Sequence, residues 1–385
     1  MRRLLRIGIS CYPTYGGSGV IATEIGMAMA RLGHKVHFLA YDVPRRLDRF
    51  LANIFFHEVV VQDYPLFVYP PYALSLASKM VEVATYEKLD LIHVHYAVPH
   101  ATSAYLARQV LGDRAPKVIT TLHGTDITLV GNDRSYLPIT RFSIIQSDGI
   151  TVPSHFLRHA TFDKLNVPTD VPIEVIPNFV DSERFRPRGE AEERGPSIAT
   201  IGGSDMVLSH VSNFRPVKRI QDVVRVFEIV QRSVPSHLVL VGDGPERSRI
   251  EALVRELNLE QKVCFLGKQE DFVPVLQRSD LFLLPSESES FGLAALEALS
   301  CGVPVVGAKG HGLQEVVKHG ETGFLADVGD VDAMAAFALR VLTDRELRER
   351  QSAAARRLVL EKFDQTAMTN AYQDYYYRIL GEPAS

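Results

Sequence analysis

The chain has only three cysteines in 385 residues, Cys11, Cys264 and Cys301, and none lies at a metal-ligand spacing from another. So sparse and odd a set excludes a disulfide framework and points to a reducing compartment. Charge of one sign is not in excess. The formal net charge is −4, mixed along the chain, so no nucleic-acid partner is expected. No apolar run approaches the length of a membrane span. Met1-Arg-Arg-Leu-Leu-Arg6 carries the cations of a leader, but the apolar stretch after it is too short, and Ser10 to Gly19 is polar and glycine-rich. A cytoplasmic protein is expected. No short repeat appears, which excludes a solenoid.

What is present is apolar bulk, 46% of residues, in a chain long enough for two ordinary domains. Short apolar runs alternate with helical patterns. Leu4 to Ile9, Lys35 to Ala40, Ile54 to Val61, Leu91 to His95, Val118 to Leu122 and Gly149 to Val152 read as strands. Val20 to Leu32 reads as a helix, with Ile21, Ile25, Ala28, Met29 and Leu32 at helical spacing. The texture changes from Asn178 to Asp205, where apolar periodicity is lost in a stretch rich in charge, glycine and proline. A second series follows: Met206 to Val211, His237 to Val241, Lys262 to Leu266, Asp280 to Leu284, Val303 to Val306 and Phe324 to Asp327. Val331 to Leu380 reads as helical, with Asp332, Asp344 and Asp364 as starts.

Such alternation predicts an α/β fold of two doubly wound, Rossmann-like domains with parallel sheets and crossover helices. The expected division is a first domain over 1–180, a connection over 181–205, a second domain over 206–362, and a C-terminal helix over 363–385 that returns toward the first. Ligands of such sheets bind at the carboxyl ends of the strands, in a cleft expected between the two halves.

The most informative segment runs Glu289-Ser-Phe-Gly-Leu-Ala-Ala-Leu-Glu297, two carboxylates eight positions apart. An apolar strand, Leu281 to Leu284, precedes it. Glu289 is expected on the loop and Glu297 about two turns into the following helix, on the same face. Backbone N–H groups from Ser290, Phe291, Gly292 and Leu293 would be free at that helix start and attract anions or sugar oxygens. Two carboxylates alone would also permit a glycosidase pair.

Four further segments qualify. Gly16-Gly17-Ser18-Gly19 follows the first strand and opens a helix; it is either a tight turn or a loop that lets a ligand approach, and it lacks the closing glycine of a dinucleotide site. His123-Gly-Thr-Asp126 ends a strand with three polar side chains. Asn213 to Arg219 places Arg215, Lys218 and Arg219 at a strand end, suited to a diphosphate or simply a solvated basic loop. Gly242-Asp-Gly-Pro245 is a strand-to-helix turn that serves either as that alone or as a backbone wall for a nucleobase. His93 and His95 share one face of a strand and read as half-buried residues. No carboxylate or cysteine pattern joins them, so no metal is expected.

Taken in order, these segments resemble the retaining glycosyltransferases of family 4, which have the GT-B fold, and the likeness spans nearly the whole chain. Cys11-Tyr-Pro13, Tyr69-Pro-Pro-Tyr72, His95 to His100, Thr120 to Asp126 and Val211 to Arg219 are similar to the branch that joins GlcNAc from UDP-GlcNAc to L-malate in bacillithiol biosynthesis. The resemblance implies that Glu289 binds donor-sugar hydroxyls, Glu297 the ribose, and His123 the sugar. Arg215 and Lys218 would hold the diphosphate, together with amides near Gly16, Gly17, Gly19 and Ser290 to Leu293, and Gly242 would contact the donor. Many family members place the phosphate-binding Arg five residues before the Lys; here Asn213 holds that position and Arg215 stands three before Lys218. Ser18, Tyr96, Thr120 or Thr121, and Arg141 would take malate, with Arg141 as the bidentate carboxylate ligand. No cofactor or metal is implied, and a homo-oligomer is. Competing readings are a family 4 enzyme with a lipid or polysaccharide acceptor and a non-hydrolysing UDP-GlcNAc 2-epimerase. The modest charge of Tyr72 to Lys88 argues against a membrane-facing helix, so no stable membrane association is expected.

Overall fold

A computed structural model describes residues 2–14, 16–47, 51–62, 69–128, 131, 133–189 and 205–382. The chain divides into two units, one comprising Met1–Asn178 with Thr366–Ser385 and the other Phe179–Gln365.

The first unit holds β1 (Arg6–Ser10), β2 (Lys35–Ala40), β3 (Ile54–Glu58), β4 (Leu91–His95), β5 (Lys117–Thr121), β6 (Gly149–Val152) and β7 (Glu174–Val175). They form one parallel sheet in the order β3-β2-β1-β4-β5-β6-β7. The second unit holds β8 (Met206–Val211), β9 (Ser236–Val241), β10 (Val263–Gly267), β11 (Leu281–Leu284), β12 (Val305–Ala308) and β13 (Gly323–Ala326). Its order, again parallel, is β10-β9-β8-β11-β12-β13. Central strands are covered on both faces, which is why they read as continuous apolar runs rather than alternating ones.

Register is pinned at the amino ends of both sheets by one repeated device. Asp90, Asp148 and Asp280 stand just before β4, β6 and β11. Their carboxylates accept the backbone N–H of Arg6, Val118 and Val207 on the neighbouring strand, at 2.7, 2.9 and 2.8 Å. The strand order reverses between β1 and β4 in the first unit and between β8 and β11 in the second. Chain segments leaving those strands diverge there, so each sheet opens a crevice at its carboxyl end.

The helical C-terminal region is three helices, Val331–Thr343, Arg345–Lys362 and Gln365–Ile379. Asp330, not Asp332, caps the first, accepting Ala333 N–H at 2.9 Å, and Asp344 caps the second through Leu347 N–H at 2.9 Å. The last helix packs on the first unit's sheet. Tyr372, Tyr376 and Tyr377 are buried, Tyr377 donates to Arg3 O at 2.7 Å, and Tyr375 donates to Ile150 O at 3.2 Å.

Part of the stretch expected to be an inter-domain connection is core of the second unit. Phe185 is fully buried against Phe272, and Arg356 ties the carbonyls of Ser182 and Phe185 at 2.9 Å each. Burial of that one ring is worth roughly 2–3 kcal/mol, which fixes a segment whose composition looks loose. Residues 190–204 of the expected connection lie outside the described residues. No described helix is long and apolar enough to cross a membrane.

Candidate active site

In the second unit the loops at the carboxyl ends of the strands are bonded to one another. Gly242, after β9, has φ +123, and a Cβ there would come within 1.8 Å of Ser212 O. Glu246 N–H donates to Phe214 O at 3.0 Å, and Glu287 N–H donates to Val217 O at 2.8 Å. Gly312 N–H, after β12, donates to Glu289 O at 2.9 Å. The turn Gly242–Pro245 therefore buttresses the basic loop, which supports the plain-turn reading of its glycine.

At the crevice between β8 and β11, Lys218 Nζ stands 2.6 Å from Glu289 Oε1. Both side chains are mostly buried, 21% and 12% exposed, so water screens the pair only in part. Beneath them His210 is fully buried. Its Nδ1 lies 2.8 Å from Leu283 O, which only accepts, so Nδ1 carries the proton; Nε2 then accepts from the Ser212 hydroxyl at 2.7 Å. Burial pushes the His210 pKa down to about 4, so the ring is neutral near pH 7.

Arg215 is exposed and makes no ion pair among the described residues, which leaves its guanidinium available. Arg219 is committed to Asp222 at 2.6 Å, a buried acid in the first turn of the helix Ile220–Gln231.

The helix after Glu289 begins at Leu293, with Gly292 as N-cap at φ 96 and no side-chain cap. Glu297 is thus its fifth residue, just over one turn in rather than two. Glu289 lies outside the helix, so helical periodicity does not put the two acids on one face. Glu297 is 4% exposed. Phe291 is buried against Phe363, so its ring is not open to a ligand, whereas Ser290 and Leu293 are half-buried.

In the first unit the corresponding crevice lies between β1 and β4. Gly16 is the N-cap of the helix Gly17–Arg31, which has no side-chain cap, and Ser18 sits half-buried in its first turn. A Cβ at Gly19 would stand 2.5 Å from Tyr12 O, so that glycine is required by the turn itself. The Tyr12 ring packs edge-on against Tyr96 at 5.4 Å and His100 at 4.6 Å. Tyr96 directly follows β4 with φ 87, ψ 141, a conformation that costs a non-glycine residue on the order of 1–3 kcal/mol.

His123 follows β5. Its backbone N–H and that of Gly124 donate to Asp126 Oδ1 at 3.1 and 2.9 Å. Its Nε2 lies 2.8 Å from His95 Nδ1, and its ring is 5.3 Å from Tyr96. Burial lowers the His123 pKa to about 3 and raises that of Asp126 to about 6 against its backbone hydrogen bonds. His93 and His95 are fully buried, not half-buried as expected. His93 bridges Thr121 Oγ1 at 2.6 Å and Tyr376 Oη at 2.7 Å.

Two expected acceptor ligands are corrected. Thr120 and Thr121 are both fully buried. The Thr120 hydroxyl is bonded to Ser147 at 2.7 Å, and that of Thr121 to Thr151 at 2.5 Å as well as to His93. Adjacent strand residues point to opposite faces, and both faces of this sheet are covered, so neither hydroxyl is open to a ligand. Arg141 lies exposed on the helix Leu137–Ile145 with no ion pair among the described residues. Tyr12, His95, His100 and Asp126 were not singled out as site residues. The available signal was that each lies in a segment that carries the family resemblance, close after or at the end of β1, β4 or β5.

No cluster of three or more metal-ligating side chains exists among the described residues. A cavity of about 770 Å³ lies at the other end of the second sheet, near Asp280, Pro304 and Arg356, and shares no residue with the crevice at Lys218.

Residues 15–184 match the family described as Glycosyltransferase Family 4, and residues 196–358 match that described as Glycosyl transferases group 1. The chain is 47% identical over 98% of its length, and 97% of the relative's, to the N-acetyl-alpha-D-glucosaminyl L-malate synthase of Bacillus anthracis. Among solved structures it is similar to the sucrose-phosphate synthase of Thermosynechococcus elongatus, with a TM-score of 0.80, 23% identity, and 98% and 99% of the two chains covered. It is also similar to Anabaena HepE in complex with UDP and glucose, with a TM-score of 0.80, 20% identity, and 96% and 99% covered. The two parallel-sheet units, the crevice at Lys218 and Glu289, and these similarities lead to one assignment: the chain belongs to glycosyltransferase family 4 and is a GT-B glycosyltransferase.

Proposed function

We propose that the chain transfers GlcNAc from UDP-GlcNAc to the hydroxyl of L-malate with retention of anomeric configuration, the first step of bacillithiol biosynthesis. The observation that carries this reading is the 47% identity over 98% of the chain to the Bacillus anthracis enzyme of that name. Site chemistry supports it. As the bond between the anomeric carbon and UDP breaks, charge grows on the departing phosphate. Arg215, Lys218 and the uncapped amides at Gly292 and Leu293 would stabilise that charge where it develops, so no strong general acid is needed. The malate hydroxyl forms the new bond from the leaving-group side, and its proton goes to the departing phosphate oxygen. Cationic side chains fill the role a metal has in other transferases, so activity is expected to persist in EDTA.

Glu289 would orient donor-sugar hydroxyls, with Lys218 holding its carboxylate in place at 2.6 Å. Glu297, with 4% of its surface open, would meet the ribose. Arg141, Ser18 and Tyr96 are the proposed malate ligands, and the exposed Arg141 offers the fork geometry a carboxylate needs. The same resemblance carries self-association, which light scattering on the purified protein tests. UDP release measured with UDP-GlcNAc across a panel of acceptors tests the whole reading. L-malate should stimulate it strongly and inositol phosphate should not. Product NMR should report the α anomer, and release with lipid acceptors but not malate would overturn the proposal.

A further inference from the structure

His123 has two ring nitrogens with unequal surroundings. Nε2 is taken by His95 Nδ1 at 2.8 Å, whereas no hydrogen bond among the described residues takes Nδ1. His95 is fully buried, and its own Nε2 has no hydrogen-bond partner among the described residues. Both rings are held neutral by burial, His123 near 3 and His95 well below its ordinary value. One proton therefore lies between Nε2 of His123 and Nδ1 of His95. If His123 donated it, His95 would have to carry its proton on the orphaned Nε2. Buried N–H groups without an acceptor are rarer than buried acceptors without a donor. The favoured arrangement has His95 donating from Nδ1 and leaving a bare lone pair on Nε2; it puts the proton of His123 on Nδ1, in a ring that is 8% exposed where His95 is fully enclosed.

We infer that His95 is a positioning residue that fixes the tautomer of His123, so that His123 presents an Nδ1–H donor to a hydroxyl of the donor sugar. This rests on the reading of His123 as a sugar-contacting residue. The hydrogen bond to His95 holds the ring edge, while Asp126 holds the His123 backbone through two N–H groups. A neutral donor suits this place. A charged imidazolium would repel the positive charge that builds on the sugar as UDP departs, whereas the acceptor tautomer could not satisfy a hydroxyl already donating elsewhere.

The test compares His95→Phe, which keeps ring shape and removes the donor, with His95→Asn, whose side-chain N–H₂ stands where Nδ1 stood. In wild type, long-range ¹H–¹⁵N spectra of the ¹⁵N-histidine-labelled protein should show His123 protonated on Nδ1. With UDP-GlcNAc and L-malate, His95→Phe should lose roughly 10- to 100-fold in kcat, the usual scale for removing a group that orients a functional histidine, with little change in either KM. His95→Asn should recover most of that loss. UDP affinity by calorimetry, read on the second unit, should be unchanged in both. A wild-type His123 protonated on Nε2 would overturn the inference, as would a folded His95→Phe with undiminished kcat or a His95→Asn no better than His95→Phe. If His95→Phe does not fold, the wild-type spectrum and His95→Asn still decide. Absence of GlcNAc transfer to malate by wild type would instead strike the functional reading, and the tautomer would still be read directly.

Discussion

Lys218 Nζ and Glu289 Oε1 meet at 2.6 Å across 71 positions of sequence, joining the loops that leave β8 and β11. With no diphosphate present the ammonium neutralises the carboxylate; with one, the same cation has a second anion within reach. Lys218→Ala removes both functions. It should reduce kcat/KM for UDP-GlcNAc by about 10²–10³-fold, the range seen when one preorganised donor to developing charge is lost. Lys218→Arg should recover only part of this, because the planar fork cannot reproduce a point charge between two anions. Steady-state UDP release at saturating malate measures it, and a loss below tenfold would remove Lys218 from the charge-stabilising set.

Arg141 provides the contrasting case, an exposed charged side chain on the helix Leu137–Ile145 with no ion pair among the described residues. A charge-assisted bidentate contact to a carboxylate is worth about 1.5–3 kcal/mol. Arg141→Ala should therefore raise the malate KM by roughly 10- to 100-fold and leave the UDP-GlcNAc KM close to wild type. Equal effects on both substrates would refute an acceptor role.

The sheets were legible in the sequence because central strands covered on both faces are apolar along their length, and the twelve expected runs, including the less buried edge strands β3 and β10, fall on twelve of the thirteen strands. β7 was not legible, since Glu174 and Val175 form only a two-residue strand without a run to mark it. The approach of Lys218 to Glu289 is set by the order of strands, which no local motif encodes. The depth of Glu297 was misjudged because Gly292, at φ 96, delays the helix start to Leu293. Thr120 or Thr121 was expected to meet the acceptor, but both lie on a strand covered on both faces and their hydroxyls bond Ser147 and Thr151. His93 and His95 were read as ordinary, and burial beneath Tyr376 and beside His123 is what changes their meaning.

Gly242 separates structure from chemistry in the second unit. A methyl group there would meet Ser212 O at 1.8 Å, and φ +123 is unfavourable for any side chain. Gly242→Ala should destabilise the protein by about 2–4 kcal/mol, from backbone strain and a displaced loop together. Gly320, at φ +83 with nothing within 4 Å of a Cβ, is the control. Gly320→Ala should cost only about 1 kcal/mol, the left-handed backbone penalty alone. Urea midpoints of the two variants compare them, and equal shifts would mean that the contact with Ser212 does not govern the turn.

The buried histidines set the acid stability of the first unit. His93, His100 and His123 have folded pKa values of about 3, each lowered chiefly by desolvation, against about 6.5 in an unfolded chain. Between those values the unfolded chain binds protons that the folded chain does not, so acid favours unfolding. The stability these rings confer is fully present above about pH 6.5 and declines as pH falls toward 3, by about 1.4 kcal/mol per pH unit for each histidine. Asp126 acts in the opposite direction. Its folded pKa of about 6 exceeds its ordinary value of 3.8, so its contribution is present at low pH and lost as pH rises through 6. One carboxyl offsets one of three histidines, and the net slope remains acid-sensitive. Urea midpoints should therefore stay nearly level from pH 7.5 to about 6.5 and fall from there to pH 5. His100→Phe, which removes one of these fully buried rings, should make that slope shallower. A midpoint constant from pH 7.5 to 5 in wild type would mean that these rings titrate in the folded protein much as they do in the unfolded one.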